Sequence, residues 1–182
     1  TLLRAYIDSA NDAIFVLCDE MKFHIANPML RSWLGTTEDS LTEHNHRRPI
    51  TDFIGHEENK KKFVKHFEMA LKGLPVRFEC FIHPQDADAR WIEISLNKVN
   101  LDAGEMFIGV AHDITEKKHT EMLLWEHANF DPLAGVANRQ MFQDRMEQEI
   151  KKAHRTDLSM ALMVLDLDRF KEVNDTLGHE MG

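Results

Sequence analysis

The chain has 182 residues, 43% apolar and 29% charged, with a formal net charge of −9; this is the make-up of an ordinary folded protein without low-complexity bias. Its length leaves room for one large domain, or for a small domain and part of another, and its acidic balance excludes a general nucleic-acid binder, which needs a basic stripe to displace counterions from phosphates. No apolar run approaches the roughly 20 residues that cross a bilayer, and Thr1 opens the chain without an initiator methionine or signal-peptide pattern, so a fragment boundary, no membrane segment and a cytoplasmic location are expected. Cys18 and Cys80 lie far apart in apolar runs, as reduced core thiols do, rather than in a disulfide framework.

In chain order, residues 13–18 read as an apolar strand, Asp19 and Glu20 as a turn, and residues 22–26 as a second strand. Asn27 and Pro28 then form a helix start, with Met29, Leu30, Trp33 and Leu34 on one apolar face. After a polar loop rich in His and Arg, residues 57–72 place Phe63, Phe67, Ala70 and Leu71 at helical spacing, and Gly73 stands where a C-terminal cap belongs. Val76, Phe78, Cys80 and Ile82 alternate along one run, and Ile92, Ile94 and Leu96 along the next. That period of two predicts antiparallel strands. A further strand, MFIGVAHDI, follows a turn at residues 102–104. Two strands, several helices and three strands fit an α+β domain with helices on one face of an antiparallel sheet.

The opening IDSANDAIFVLCDE, the NP pair and the closing HDITEKK resemble a PAS domain over about residues 5–117, so residues 1–114 are read as the sensor. Residues 115–130 are then the signalling helix, with Thr115 as its cap and a stripe through Lys118, Met122, Trp125 and Asn129. The resemblance implies a homodimer paired through the PAS domain and this helix; the stripe spans fewer than three heptads and does not establish a coiled coil by pattern.

From residue 131, DPLAGVANR leads to a helix with Phe142, Met146, Ile150 and Ala153 at helical spacing and Asn138 as N-cap. The run MALMVL then reads as a fully buried strand carrying Asp166-Leu167-Asp168 at its C-terminal end, the end where α/β folds gather ligands. In RFKEVNDTLGHEMG, Lys171, Asn174 and Gly178 share one side, while Phe170, Val173 and Leu177 face inward. A carboxylate for a hard divalent ion, a cation for phosphate and an amide for a base edge together suit a nucleotide.

The string DLDRFKEVNDTLGHEMG resembles the first signature of the GGDEF diguanylate cyclases, and DPLAGVANR their opening motif, so residues 131–182 are read as the N-terminal part of an α/β GGDEF domain, ending before its GGDEF loop. The resemblance implies that Asp166 and the main-chain carbonyl of Leu167 hold Mg²⁺, that Lys171 and His179 lie near the triphosphate of GTP, that Asn174 reads guanine and that Phe170 supports the base pocket. Ala134, Val136 and Ala137 stand where the family usually has Thr, Leu and Pro. The second metal acid and the remaining guanine contact would fall after Gly182, so the chain by itself is expected to be inactive. The function implied is a PAS-regulated cyclase making cyclic di-GMP from two GTP; the alternative is a degenerate, GTP-binding module that regulates a downstream phosphodiesterase.

Other candidates read more simply. His66 is a partly exposed structural histidine at the edge of its helix face rather than a haem ligand, and His44, Asn45 and His46 are a solvated loop without the companions a metal needs. Neither cysteine stands in the helix motif of photoactive LOV domains, and Trp33 and Trp91 read as core or rim residues. The PAS ligand is not named by any pattern.

Overall fold

The computed structural model describes every residue except Thr1 and residues 38–40, 43–46, 102–103 and 179–182. It divides into two units, Thr1–Leu123 and Leu124–Gly182. The first runs α1 (Leu2–Asp8), β1 (Ala13–Cys18), β2 (Phe23–Ala26), α2 (Pro28–Leu34), a 3-10 turn (Ile50–Phe53), α3 (Glu57–Leu71), β3 (Val76–Ile82), β4 (Arg90–Leu101), β5 (Gly104–Asp113) and the start of α4 (Thr115–Asn129). The five described strands form one antiparallel sheet ordered β2-β1-β5-β4-β3. The second unit holds the rest of α4, then α5 (Arg139–Thr156) and α6 (Phe170–Leu177).

Alternation along the strands sends one set of side chains toward α2 and α3, and these build the core. Phe15, Leu17, Ile94, Leu96 and Phe107 from the sheet pack with Phe63, Phe67 and Ala70 of α3 and with Leu30, Trp33 and Leu34 of α2, all buried. Phe67 and Phe107 bring their ring centroids to 4.6 Å, and Phe63 meets Phe78 edge-on at 5.6 Å. Each ring fully removed from water contributes about 2 to 3 kcal/mol. The α3 helix ends as its sequence requires: Gly73 turns to φ +82°, and the N–H groups of Gly73 and Leu74 reach the carbonyls of Ala70 (2.8 Å) and Met69 (3.2 Å), a pairing that needs a left-handed residue after the cap.

Gly109 sits opposite Phe15 in the β1–β5 register. A Cβ added there would overlap the Phe15 ring, which is itself fully buried. Gly109→Ala is therefore expected to destabilise the first unit by about 2 kcal/mol, as overpacked cores do, read as a lower urea midpoint at unchanged slope.

The structure sharpens several expectations. The second strand begins at Phe23, Lys22 instead forming an isolated bridge to Pro49, and the last begins at Gly104. Helix α1 has no counterpart in the sequence reading. The turn at Asp102 and the loop of His44, Asn45 and His46 lie outside the described residues. Cys18 and Cys80 are both free thiols; burial pushes the Cys80 thiol up to about 11, which keeps it protonated and unreactive. His66 lies flat on Phe78, centroids 4.3 Å apart, and its Nδ1–H donates to the Lys62 carbonyl at 2.7 Å.

Candidate functional site

In the second unit, Asp131 organises the loop that opens the candidate nucleotide segment. Its Oδ1 accepts from the N–H groups of Leu133 and Ala134, both at 2.9 Å, its carbonyl accepts from Gly135 N–H, and its own N–H donates to the Val136 carbonyl. Gly135, at φ +66°, makes the reversal without a side-chain penalty. Asn138 closes the loop: its Nδ2 donates to the Ala128 carbonyl at 2.9 Å, and its Oδ1 caps α5 by accepting from Met141 N–H at 3.0 Å. The departures at Ala134 and Val136 thus fall where the loop uses main-chain groups, and Ala137 enters a main-chain bridge with Phe130. A cleft of about 530 Å³ lies beside this loop, lined by Trp125, Phe130, Asp131 and Gly135 among others.

Helix α5 forms as its spacing predicts, ending at Asp157 in a left-handed cap. The expected buried strand does not form. Residues 158–168 have no regular secondary structure, and Met163, Val164 and Leu165 are 80%, 82% and 86% exposed. The physical reason is that a parallel strand needs neighbours for its N–H and C=O groups and cover for both faces, and no described strand of this unit lies beside it.

Asp166 and Leu167 are exposed at the end of this run, Arg169 takes a left-handed turn at φ +57°, and α6 carries Phe170, Lys171 and Asn174 in its first two turns. The α6 helix closes where Gly178 N–H donates to the Asn174 carbonyl at 2.9 Å. Phe170 is 40% exposed rather than turned inward, because no described layer covers that face; the side chains of Val173 and Leu177, and all of His179, lie outside the described residues. Among the described residues neither Asp166 nor Lys171 has an ion-pair partner, and the Oδ1 of Asn174 is enclosed without a hydrogen bond. A buried amide oxygen in that state is an unsatisfied acceptor.

In the first unit, a polar constellation that the sequence reading missed surrounds the root of α4. Thr115 does not cap the helix through its side chain. It is the first helical residue: its N–H donates to Asp113 Oδ1 at 2.9 Å, and its Oγ1 accepts from Trp91 N–H at 3.0 Å. Asp113 also holds Arg90 at 2.7 Å, and Lys118 of α4 reaches Glu79 of β3 at 2.6 Å and stands over the Trp91 ring. Burial disfavours the charge on Asp113, but the hydrogen bonds from Thr115 and Arg90 outweigh it and hold the carboxyl below the ordinary aspartate range. Its stabilisation is complete above about pH 4 and is lost as the pH falls through that lowered value. The urea midpoint of the protein is thus expected to exceed that of Asp113→Asn at about pH 5, with the gap closing as the pH falls below the ordinary aspartate value.

Residues 7–119, more than half of the chain, match the family model for the PAS fold, and residues 128–182 match that for the diguanylate cyclase GGDEF domain. The fold resembles the crystal structure of the PAS domain of an HTR-like protein from Haloarcula marismortui, with TM-score 0.53 and 20% identity over 62% of this chain and 89% of that one. The chain is 30% identical over 103 residues to the diguanylate cyclase DgcM of Escherichia coli O157:H7, covering 56% of this chain and 25% of that protein. It is 35% identical over 96 residues to the cyclic di-GMP phosphodiesterase PdeB of Shewanella oneidensis, covering 51% of this chain and 11% of that protein. The chain thus spans about a quarter or less of the length of these curated relatives. It belongs to the PAS-fold family, and the N-terminal part of a GGDEF domain follows its PAS unit.

Proposed function

We propose that this chain is the sensor, signalling helix and entry segment of a PAS-regulated diguanylate cyclase, which joins two GTP into cyclic di-GMP in the cytoplasm. The observation that carries the reading is the match of residues 128–182 to the cyclase domain, with an acid, a lysine and an asparagine at its motif positions. Asp166 and the Leu167 carbonyl offer hard oxygen donors, which suit Mg²⁺, and the 69% exposure of Leu167 leaves room for the waters that this ion keeps. When bound, Mg²⁺ would offset the charge that develops during phosphoryl transfer.

The chain's own residues do the positioning. Lys171 supplies a point charge to the phosphates, a role that the resemblance extends to His179, while the Asn174 amide reads guanine and Phe170 lends its ring face to the base. Each GTP 3′-hydroxyl attacks the α-phosphate of the other nucleotide and pyrophosphate leaves, so two copies must face each other, and the PAS unit and α4 set that geometry. None of the described helices is long and apolar enough to cross a membrane.

The test is formation of cyclic di-GMP from GTP and Mg²⁺, followed chromatographically, by the protein extended beyond Gly182. Product is expected from the extended protein and none from the 182 residues alone. GTP binding without product would instead favour a regulatory domain that controls a phosphodiesterase, the reading to which the similarity with PdeB lends weight.

A further inference from the structure

The two ends of the PAS unit meet through side chains, not only through the sheet. Asn27 Nδ2 donates both to the carbonyl of Ile7, near the end of α1, and to that of Asp12, at 3.1 and 2.9 Å. The Asp12 carboxylate in turn accepts from His112 Nδ1 at 2.6 Å. His112 is the neighbour in sequence of Asp113, whose two oxygens hold Thr115 N–H and Arg90 at the root of α4. Glu93, opposite His112 on β4, pairs with Arg77 and also feels the charge of His112, while the hydrogen bond of His112 goes to Asp12. A path of hydrogen bonds joined by short covalent steps, within Asp12 and from His112 to Asp113, therefore runs from α1 through Asn27, Asp12 and His112 to α4, between residues about as far apart in sequence as this unit allows.

We infer that the Asp12–His112 contact is a coupling tie, a positioning device that makes the end of α1 and the root of α4 move as one element. A displacement of α1 then reaches the signalling helix without rearrangement of the phenylalanine core. This device is independent of whether the second unit is a working cyclase. Both partners are half exposed, so breaking the tie changes global stability little, and its signature is a local one at a distance.

The experiment is amide hydrogen exchange, resolved by residue, on the 182-residue chain and its variants. His112→Ala is expected to speed exchange at Ser9 and Ala10, which close the end of α1, by about fivefold or more, as well as at Thr115. Asp12→Ala is expected to speed exchange at Thr115 and Lys118, and the double variant to match the single ones rather than sum them. His112→Asn, whose Nδ2 occupies nearly the place of the lost ring nitrogen, is expected to restore protection at both ends. Effects confined to the mutated side, additive effects, or no recovery in His112→Asn would overturn the tie.

Discussion

Replacing Asp166 by alanine in the extended protein is expected to abolish cyclic di-GMP formation, lowering turnover by at least about a thousandfold, the several kcal/mol that a catalytic metal ion contributes. The carboxylate is exposed and without an ion-pair partner among the described residues, so its loss leaves the local fold intact. The variant is therefore expected to melt at the same temperature as its parent, with the whole deficit in turnover. Lys171→Ala probes a different role: a charge on the phosphates acts on binding as well as on the reaction, so KM should rise along with any loss in kcat. A turnover comparable to the parent's in Asp166→Ala would remove the metal role assigned to this residue and, with it, the main chemical argument for the site.

The second large effect concerns Asn27, which is 1% exposed and buried among apolar side chains. Its Oδ1 accepts from the N–H groups of Ile14 and Leu30, both at 3.0 Å, and its Nδ2 donates to two carbonyls, so all four bonding directions of the amide are used. Asn27→Ala is expected to cost about 3 kcal/mol, a lost helix cap plus desolvated groups left without partners, and to lower Tm by about 12 °C. Asn27→Asp separates the two halves of that role. Asp caps helices as well as Asn does, so a residue that only capped α2 would tolerate it. Here a carboxylate would face the carbonyls of Ile7 and Asp12, and a loss comparable to that of alanine is expected. A melting temperature near the parent's would show that the donor half contributes little.

The elements that the sequence disclosed are those whose cause is local. Period-two alternation announced β3 and β4, a turn followed by an apolar run announced β5, the Phe63–Phe67–Ala70 spacing announced α3, and Asn27-Pro28 and Asn138 announced two helix starts, because each signal is contained within a few residues. The run 160–165 was read as a buried strand on composition alone. Composition reports an appetite for burial but not the presence of neighbours to satisfy it. The Asp12–His112 contact and the ties of Thr115 to Trp91 were invisible for another reason: they join residues that only the sheet order brings together. At the candidate nucleotide segment the residue types were legible through the resemblance to GGDEF domains. Their mutual placement was not, since a helix face says nothing of what stands opposite it.

The six residues from Met160 to Leu165 contain no charge, proline or glycine and lie largely open to solvent. Such a segment is a template for stacking between molecules, and the acidic surface supplies the opposing colloidal repulsion. Handling of the purified chain will therefore turn on ionic strength: salt that screens the repulsion lowers the concentration at which samples cloud, while dilute buffer prolongs their storage life.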